Sequence, residues 1–181
     1  MRPGSRTFAA IWGFAEATLF FIVPDVLISS LALSSLRKAL WACAIAALAA
    51  SVGGLLVWFF AFNYPLATRE ILIHIPGISE GSFRSVEHLL TNGLYEGMVQ
   101  GAFSGVPYKI FAAEAGASRQ NPALFTLLSV AARLPRFVLV AFITWSLSHL
   151  VGGRLSIKNK LGLCLVLWAV FYIFYFAVIG W

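Results

Sequence analysis

Charge is what this sequence most lacks. Thirteen basic and seven acidic side chains serve 181 residues of which 60% are hydrophobic, too little polar surface to solvate a soluble domain of that length. A soluble enzyme or signalling module is therefore excluded, and lipid is the solvent that accepts such a chain. The apolar residues come in continuous runs rather than in alternation, which argues against a β-barrel. Cysteine is equally scarce. Cys43 and Cys164 each lie inside an apolar run with no CxxC or histidine-spaced companion, so a disulfide framework and a zinc site are not expected. His74 and His88 also lack ligand-spaced partners, and no Walker or HExxH pattern appears. We therefore expect no metal, no cofactor and no enzymatic activity. The formal charge of +6 does not mark a nucleic-acid partner, because Arg2 and Arg6, Arg37 and Lys38, and Arg154, Lys158 and Lys160 all flank apolar runs as topological anchors do.

What remains is a single transmembrane domain over residues 1–181. Residues 39–63 form an uncharged stretch of 25 residues, about 37 Å long as a helix and enough to cross a hydrocarbon core of about 30 Å with some tilt. Residues 122–150, interrupted by "RLPR", and residues 161–181, with the aromatic-rich "WAVFYIFYFAVIGW", are two further spans. Residues 64–96 carry Pro65, Pro76 and Gly77 with six charged residues and read as an extramembrane linker. Within it Phe83, Val86, Leu89 and Leu90 predict a short amphipathic helix lying on the surface and stopped by Asn92-Gly93. The N-terminal run is too long for a signal h-region and contains acids, so it is expected to be retained.

Two apolar stretches make uncomfortable spans. Residues 7–33 hold Glu16, Pro24 and Asp25; residues 97–117 are short and glycine-rich and hold Lys109 and Glu114. Each charge at membrane depth costs about 2.5–3.5 kcal/mol on insertion scales, and Pro24 removes a backbone donor and disfavours helix at Val23. Broken helices persist at that depth only where protein or a water-filled cavity surrounds them. Both stretches read as re-entrant hairpins. An internal repeat agrees: Pro24 precedes "ALW" at Ala39 and Pro107 precedes "ALF" at Ala123, each time with a broken charged segment ahead of a full span. The expected fold is an all-α integral membrane protein, an inverted repeat of re-entrant hairpin plus transmembrane helix with an additional C-terminal transmembrane helix. The positive-inside count is seven against three whether the first segment returns or crosses, and it places the N-terminus inside and the C-terminus outside.

Six ionisable residues lie in the apolar segments: Glu16, Asp25, Lys109, Glu114, Arg133 and Arg136. Paired charges can lock a bundle without further role, but such groups more often line a transport path. Arg133 and Arg136 share a helix face around Pro135, and paired guanidinium groups beside a lysine suit an anionic phosphate headgroup, whose oxygens the guanidinium fork binds two at a time. Glu16, Asp25 and Glu114 are not expected all to pair with both arginines, since a proton site must be left over, and Arg136 is expected to serve the headgroup rather than an acid partner. On that reading Arg136→Gln abolishes function with stability unchanged or raised.

At these residues the chain resembles the DedA superfamily, the VTT-domain or SNARE-associated Golgi protein family, over roughly residues 10–145. The likeness rests on Glu16, Pro24 and Asp25 in the first hairpin, on "ASVGG" at 50–54, and on Phe103, Gly105, Pro107, Lys109 and Ala115-Gly116 in the second hairpin. Val106 stands where the family has an arginine, Leu55 where it has an acid and Lys109 where arginine is usual, so the chain looks like a divergent member. The resemblance implies a lipid transporter, flippase or scramblase, that moves undecaprenyl phosphate or a phospholipid between leaflets of a prokaryotic cytoplasmic (inner) membrane with proton coupling. Lys109, Arg133 and Arg136 would hold the headgroup, Glu16 and Asp25 would couple protons, and Glu114, Pro24, Pro107 and Gly105 would support them. Partners would be membrane lipids with an anionic phosphate headgroup, and a homo-oligomer is an open option. A small-solute or ion secondary transporter using the same cavity, and a structural membrane-assembly protein, are the alternatives; a lipid phosphatase lacks a His or Ser in a recognisable motif.

Overall fold

The structure, a computed structural model, describes residues 3–179, with side chains from 6 to 178. Arg2, one of the expected anchors, and the end of the last apolar run lie outside the described residues. Among the described residues all regular structure is helical: α1 (Pro3–Thr18), α2 (Asp25–Ala32), α3 (Leu36–Asn63), α4 (Pro65–Ile73), α5 (Glu80–Leu90), α6 (Leu94–Ser104), α7 (Tyr108–Ala117), α8 (Pro122–Val151), a 3-10 turn at Gly152–Arg154, and α9 (Ile157–Ile179). Three helical stretches are long and apolar enough to cross a membrane, Leu36–Asn63, Pro122–Arg154 and Ile157–Val178, as the runs predict.

α3 is the hub. Half of its apolar window is buried inside the protein against 6% for α9, because small residues line the faces that meet its neighbours. Ala39, Ala42, Ala46 and Ala50 are fully buried, and α1 lies so close that a Cβ on Gly13 would stand 2.5 Å from the Ala46 carbonyl oxygen. Small residues are what allow helix backbones to approach where apolar surface alone gives no drive to associate. Local signals start the long helices: the Ser35 side chain accepts from the Lys38 N–H to cap α3, and Asn121 accepts from the Leu124 N–H to cap α8, with Pro122 following at the first helical position.

The directions of the short helices follow from their contacts. Arg6 lies over the Trp41 ring and Gly53 abuts Phe14 and Ala17, so α1 rises alongside α3 to about mid-height. The chain then breaks over 19–24, and α2 descends until the Leu33 carbonyl accepts from Ser148 Oγ. At the opposite end Arg119 lies over the Phe62 ring. α6 descends from that end, and α7 climbs back with Tyr108 against Gly54 and Gly116 against Trp58. Both broken stretches thus fold back on themselves, with their tips at similar height. The second break is made by Gly105 at φ +81°, left-handed backbone that glycine adopts without strain, followed by Pro107.

Two expectations are corrected. Residues 64–96 hold two helices rather than one, since α4 begins at Pro65 directly after Tyr64. α5 is the expected amphipathic helix: Phe83 and Val86 are fully buried in the core cluster with residues of α7, while Glu80, Arg84, Glu87 and His88 are exposed. "RLPR" does not interrupt its span, and α8 runs straight through Pro135.

Close packing makes a sharp prediction. A Cβ on Gly116 would stand 2.2 Å from the Trp58 carbonyl oxygen, which is backbone and cannot swing away, whereas one on Gly162 meets nothing within 4 Å. Gly116→Ala is expected to lower stability by about 1–3 kcal/mol and Gly162→Ala, inside α9 with open space around it, to leave it unchanged or raise it slightly. Melting curves of both variants in detergent check this, and equal curves would contradict the described α3 to α7 contact.

A candidate anion site where two broken helices meet

Five of the six ionisable residues come together at the tips of the two hairpins. α1 supplies Glu16, α2 supplies Asp25 at its first turn, α7 supplies Lys109 just after Pro107, and α8 supplies Arg133 and Arg136 one helical turn apart. Ion pairs tie them across the molecule. Arg133 Nη2 donates to Glu16 Oε2, both side chains being less than a tenth exposed. Arg136 Nη2 donates to Asp25 Oδ2 at 2.6 Å, and Asp25 is fully buried while Arg136 keeps 26% of its side chain exposed. Lys109 Nζ donates to the Phe20 carbonyl oxygen at 2.7 Å, which satisfies a backbone acceptor that the break after α1 leaves without a helical partner. The lysine of the second hairpin therefore pins the tip of the first.

Arg133 and Arg136 each have one acid partner, so Arg136 is paired with Asp25 where it is expected to serve the headgroup alone. Glu114 is not part of the group at all. It faces Arg69 Nη1 at 3.8 Å, and the same guanidinium holds Glu80 at 2.7 Å and Glu87 at 3.1 Å and lies 4.5 Å over the Phe83 ring. Arg69 joins α4, α5 and α7 in this way, and Glu114 belongs to the linker's surface network rather than to the central site.

Residues the sequence reading passed over complete the walls. Tyr108 Oη donates to Ser129 Oγ at 2.7 Å, and Ser129 donates on to the Phe125 carbonyl oxygen. The Arg133 guanidinium lies 4.4 Å over the Tyr108 ring and 5.2 Å over Phe137, which fixes its plane toward Glu16. A signal existed, since Ser129, Arg133 and Arg136 recur at helical spacing on one face of α8. From α9, Tyr172 Oη accepts the Val23 N–H at 2.8 Å, the donor just ahead of Pro24.

These side chains enclose a cavity of about 90 Å³ bounded by Glu16, Lys109, Arg133, Arg136, Tyr108 and Tyr172 among others. Lys109, Arg133, Arg136 and Glu16 line it and Asp25 stands behind Arg136, so with both acids ionised the cluster carries one positive charge in excess. Two buried polar atoms of the cluster, Asp25 Oδ1 and Arg133 Nε, have no hydrogen-bond partner. On its open side the cavity shares Arg136, Gly105, Phe171 and Tyr175 with a larger groove of about 790 Å³ between α8 and α9.

Among the described residues no group of three His, Cys, Asp or Glu side chains gathers to hold a metal ion. One enzyme-like spelling does occur: Gly77-Ile78-Ser79-Glu80-Gly81 matches the G-x-S-x-G of serine hydrolases. Its context is wrong, because that motif needs a strand-to-helix turn, whereas no strand precedes Ser79, which follows an irregular turn after α4 and caps α5 by accepting from the Ser82 N–H. Cys43, buried in α3, and Cys164, half-buried on α9, are both free thiols.

No family model matches the chain, and no solved structure matches it. It is 27% identical over 174 residues to an uncharacterized protein of Haemophilus influenzae, an alignment that spans 94% of this chain and 88% of that one. This likeness extends over the hairpins and the spans together and attaches no activity to either chain.

Proposed function

We propose that the chain is a transporter that moves a phosphate-headgroup lipid between the leaflets of a prokaryotic cytoplasmic membrane, coupled to protons at Glu16 and Asp25. The observation that carries this reading is the cationic excess in a cavity walled by two broken helices and open sideways. An anion completes the charge of Lys109, Arg133 and Arg136 against Glu16 and Asp25. A proton on either carboxylate releases its arginine and raises the excess to two charges, which suits a phosphomonoester carrying about −1.5 to −2. Proton and phosphate then favour each other's binding. The N-terminus of α7 also opens at this level, and half-helix ends of that kind hold anionic substrate groups in transporters. The resemblance to the DedA superfamily, as a divergent member, belongs to the same proposal.

The inverted arrangement is part of it. The hairpins enter from opposite ends and stop at the same height, which supports two re-entrant segments in an inverted repeat. Cysteine placed at exposed Ser34 and Ser118, with Cys43 and Cys164 replaced, is expected to react with an impermeant reagent from opposite sides of the membrane. Labelling of both from one side would sink the inverted plan.

A small-solute transporter is the second reading, and the lateral opening between α8 and α9 favours lipid over it. Reconstitution in liposomes with a leaflet-resolved assay compares polyprenyl phosphate, an anionic phospholipid and a zwitterionic phospholipid. The two lipids with a net negative headgroup are expected to move faster than the zwitterionic one. Equal rates for all three would indicate a scramblase without headgroup selection, and movement of a soluble anion alone would move the case to the second reading.

A further inference from the structure

The sideways opening carries more than an exit. α8 and α9 are consecutive, joined only by the turn at Gly152–Arg154 and a short link, yet among the described residues α9 leans on α2 and the break ahead of it and is tied to α8 only at the far end. Trp168 Nε1 donates to Ser29 Oγ at 2.9 Å, Tyr172 takes the Val23 N–H, and Lys160 Nζ reaches back to the Ser148 carbonyl oxygen at 2.7 Å. Held by these three bonds, α9 stands off from α8 and leaves the groove of about 790 Å³, within the range of about 300–1,000 Å³ usual for ligand sites. One wall presents Leu139, Ile143 and Leu147, the other Leu163, Leu167 and Phe171, each set recurring every fourth residue as a stripe along its helix. Arg136 stands at the inner end, shared with the polar cavity, while Ser148 and Lys160 close the far end. From Arg136 to Leu147 the stripe runs about 16 Å along α8.

We propose that this groove seats the hydrocarbon tail of the lipid whose anionic head lies at Arg136, with the tail running along α8 toward Leu147. The inference rests on the transport reading above. It adds that the tail is bound by protein rather than left in bulk lipid, so that the protein selects for chain as well as for head. The continuity of the apolar walls with a cationic cavity is what singles out an amphiphile: a wholly apolar peptide helix would bring no charge to Arg136, and a free anion would leave the groove unused.

The test uses full-length protein in nanodiscs of zwitterionic phospholipid with two photoactivatable alkyl phosphates, one carrying a diazirine at the chain end and one beside the phosphate. The chain-end probe is expected to label Ile143, Leu147 or Leu163, and the head-adjacent probe to label around Arg136 and Tyr172, both saturably and both competed by unlabelled long-chain alkyl phosphate. Ile143→Trp with Leu167→Trp fills the groove and is expected to weaken the long-chain phosphate at least about tenfold while leaving a short-chain alkyl phosphate unaffected. Cys164 lines the groove and gives a readout without substitution, since long-chain phosphate is expected to slow its alkylation and short-chain phosphate is not. If long and short chains bind alike, if neither protects Cys164, and if the chain-end probe marks outward residues such as Leu127 and Ile173 as strongly, the tail site is overturned while the head site stands. If the head-adjacent probe also fails to label saturably, the transport reading falls with it. If the tryptophan variant changes the oligomeric mass and not the labelling, a second copy of the chain occupies the groove and the proposal is wrong.

Discussion

Arg133→Gln is expected to destabilise the folded protein by about 3–5 kcal/mol, the usual consequence of leaving one member of a buried ion pair without its partner. Glu16 is 5% exposed and has Arg133 as its ion-pair partner, and the same substitution removes the stacking of the guanidinium on Tyr108 and Phe137. The double variant Arg133→Gln with Glu16→Gln removes both charges and is expected to recover most of the melting temperature but none of the transport. Recovery of both would show the pair to be structural alone. The same logic reverses the sequence-based expectation for Arg136. Because Asp25 is fully buried against it, Arg136→Gln is now expected to lower stability, although less than Arg133→Gln because Arg136 itself stays partly exposed and solvated. An unchanged melting temperature for Arg133→Gln would contradict the pairing.

Asp25→Asn is expected to have the largest functional effect, and in opposite directions for binding and for turnover. Asparagine keeps the volume and a carbonyl acceptor for Arg136 but holds the site in the equivalent of its protonated state. With one acid neutralised the cluster carries two positive charges in excess, so a phosphate-headed lipid is expected to bind at least about tenfold tighter, a gain of about 1.4 kcal/mol. The headgroup then has no carboxylate to displace it from Arg136, so movement between leaflets is expected to fall by at least about tenfold. Equilibrium binding of a long-chain alkyl phosphate and the leaflet-resolved assay measure the two separately. Weaker binding together with normal transport is the outcome that would sink the competition between carboxylate and phosphate.

The breaks and the spans were legible for local reasons. Pro24 and Pro107 each remove a donor, Gly105 takes a left-handed conformation, and an uncharged run as long as 39–63 has few alternatives to a spanning helix. That Glu16, Asp25, Lys109, Arg133 and Arg136 share a site was legible from the cost of charge in an apolar segment. Which acid meets which base was not, because the pairs join positions 117 and 111 residues apart, and helical spacing gives a face without saying what the face meets. Glu114 was misplaced for the same reason: it lies in an apolar hairpin by sequence but at the height of Arg69 in space. α4 was missed because its nine residues are two and a half turns of mixed polarity, too short for periodicity to speak. The groove between α8 and α9 has no sequence signal either, since it exists only because hydrogen bonds from α9 go to α2 and to the end of α8.

The proposed transport rests on one exchange, phosphate for carboxylate at the arginines, with a proton taken up by the acid that is displaced. Titration calorimetry of a long-chain alkyl phosphate into the purified protein, repeated in buffers of different ionisation enthalpy at about pH 8, where the phosphate is already a dianion and contributes no proton of its own, reads that proton directly. About one proton is expected to be taken up per phosphate bound by the unaltered protein, and none by the double variant Glu16→Gln with Asp25→Asn. Binding whose heat is independent of the buffer in the unaltered protein would contradict the account.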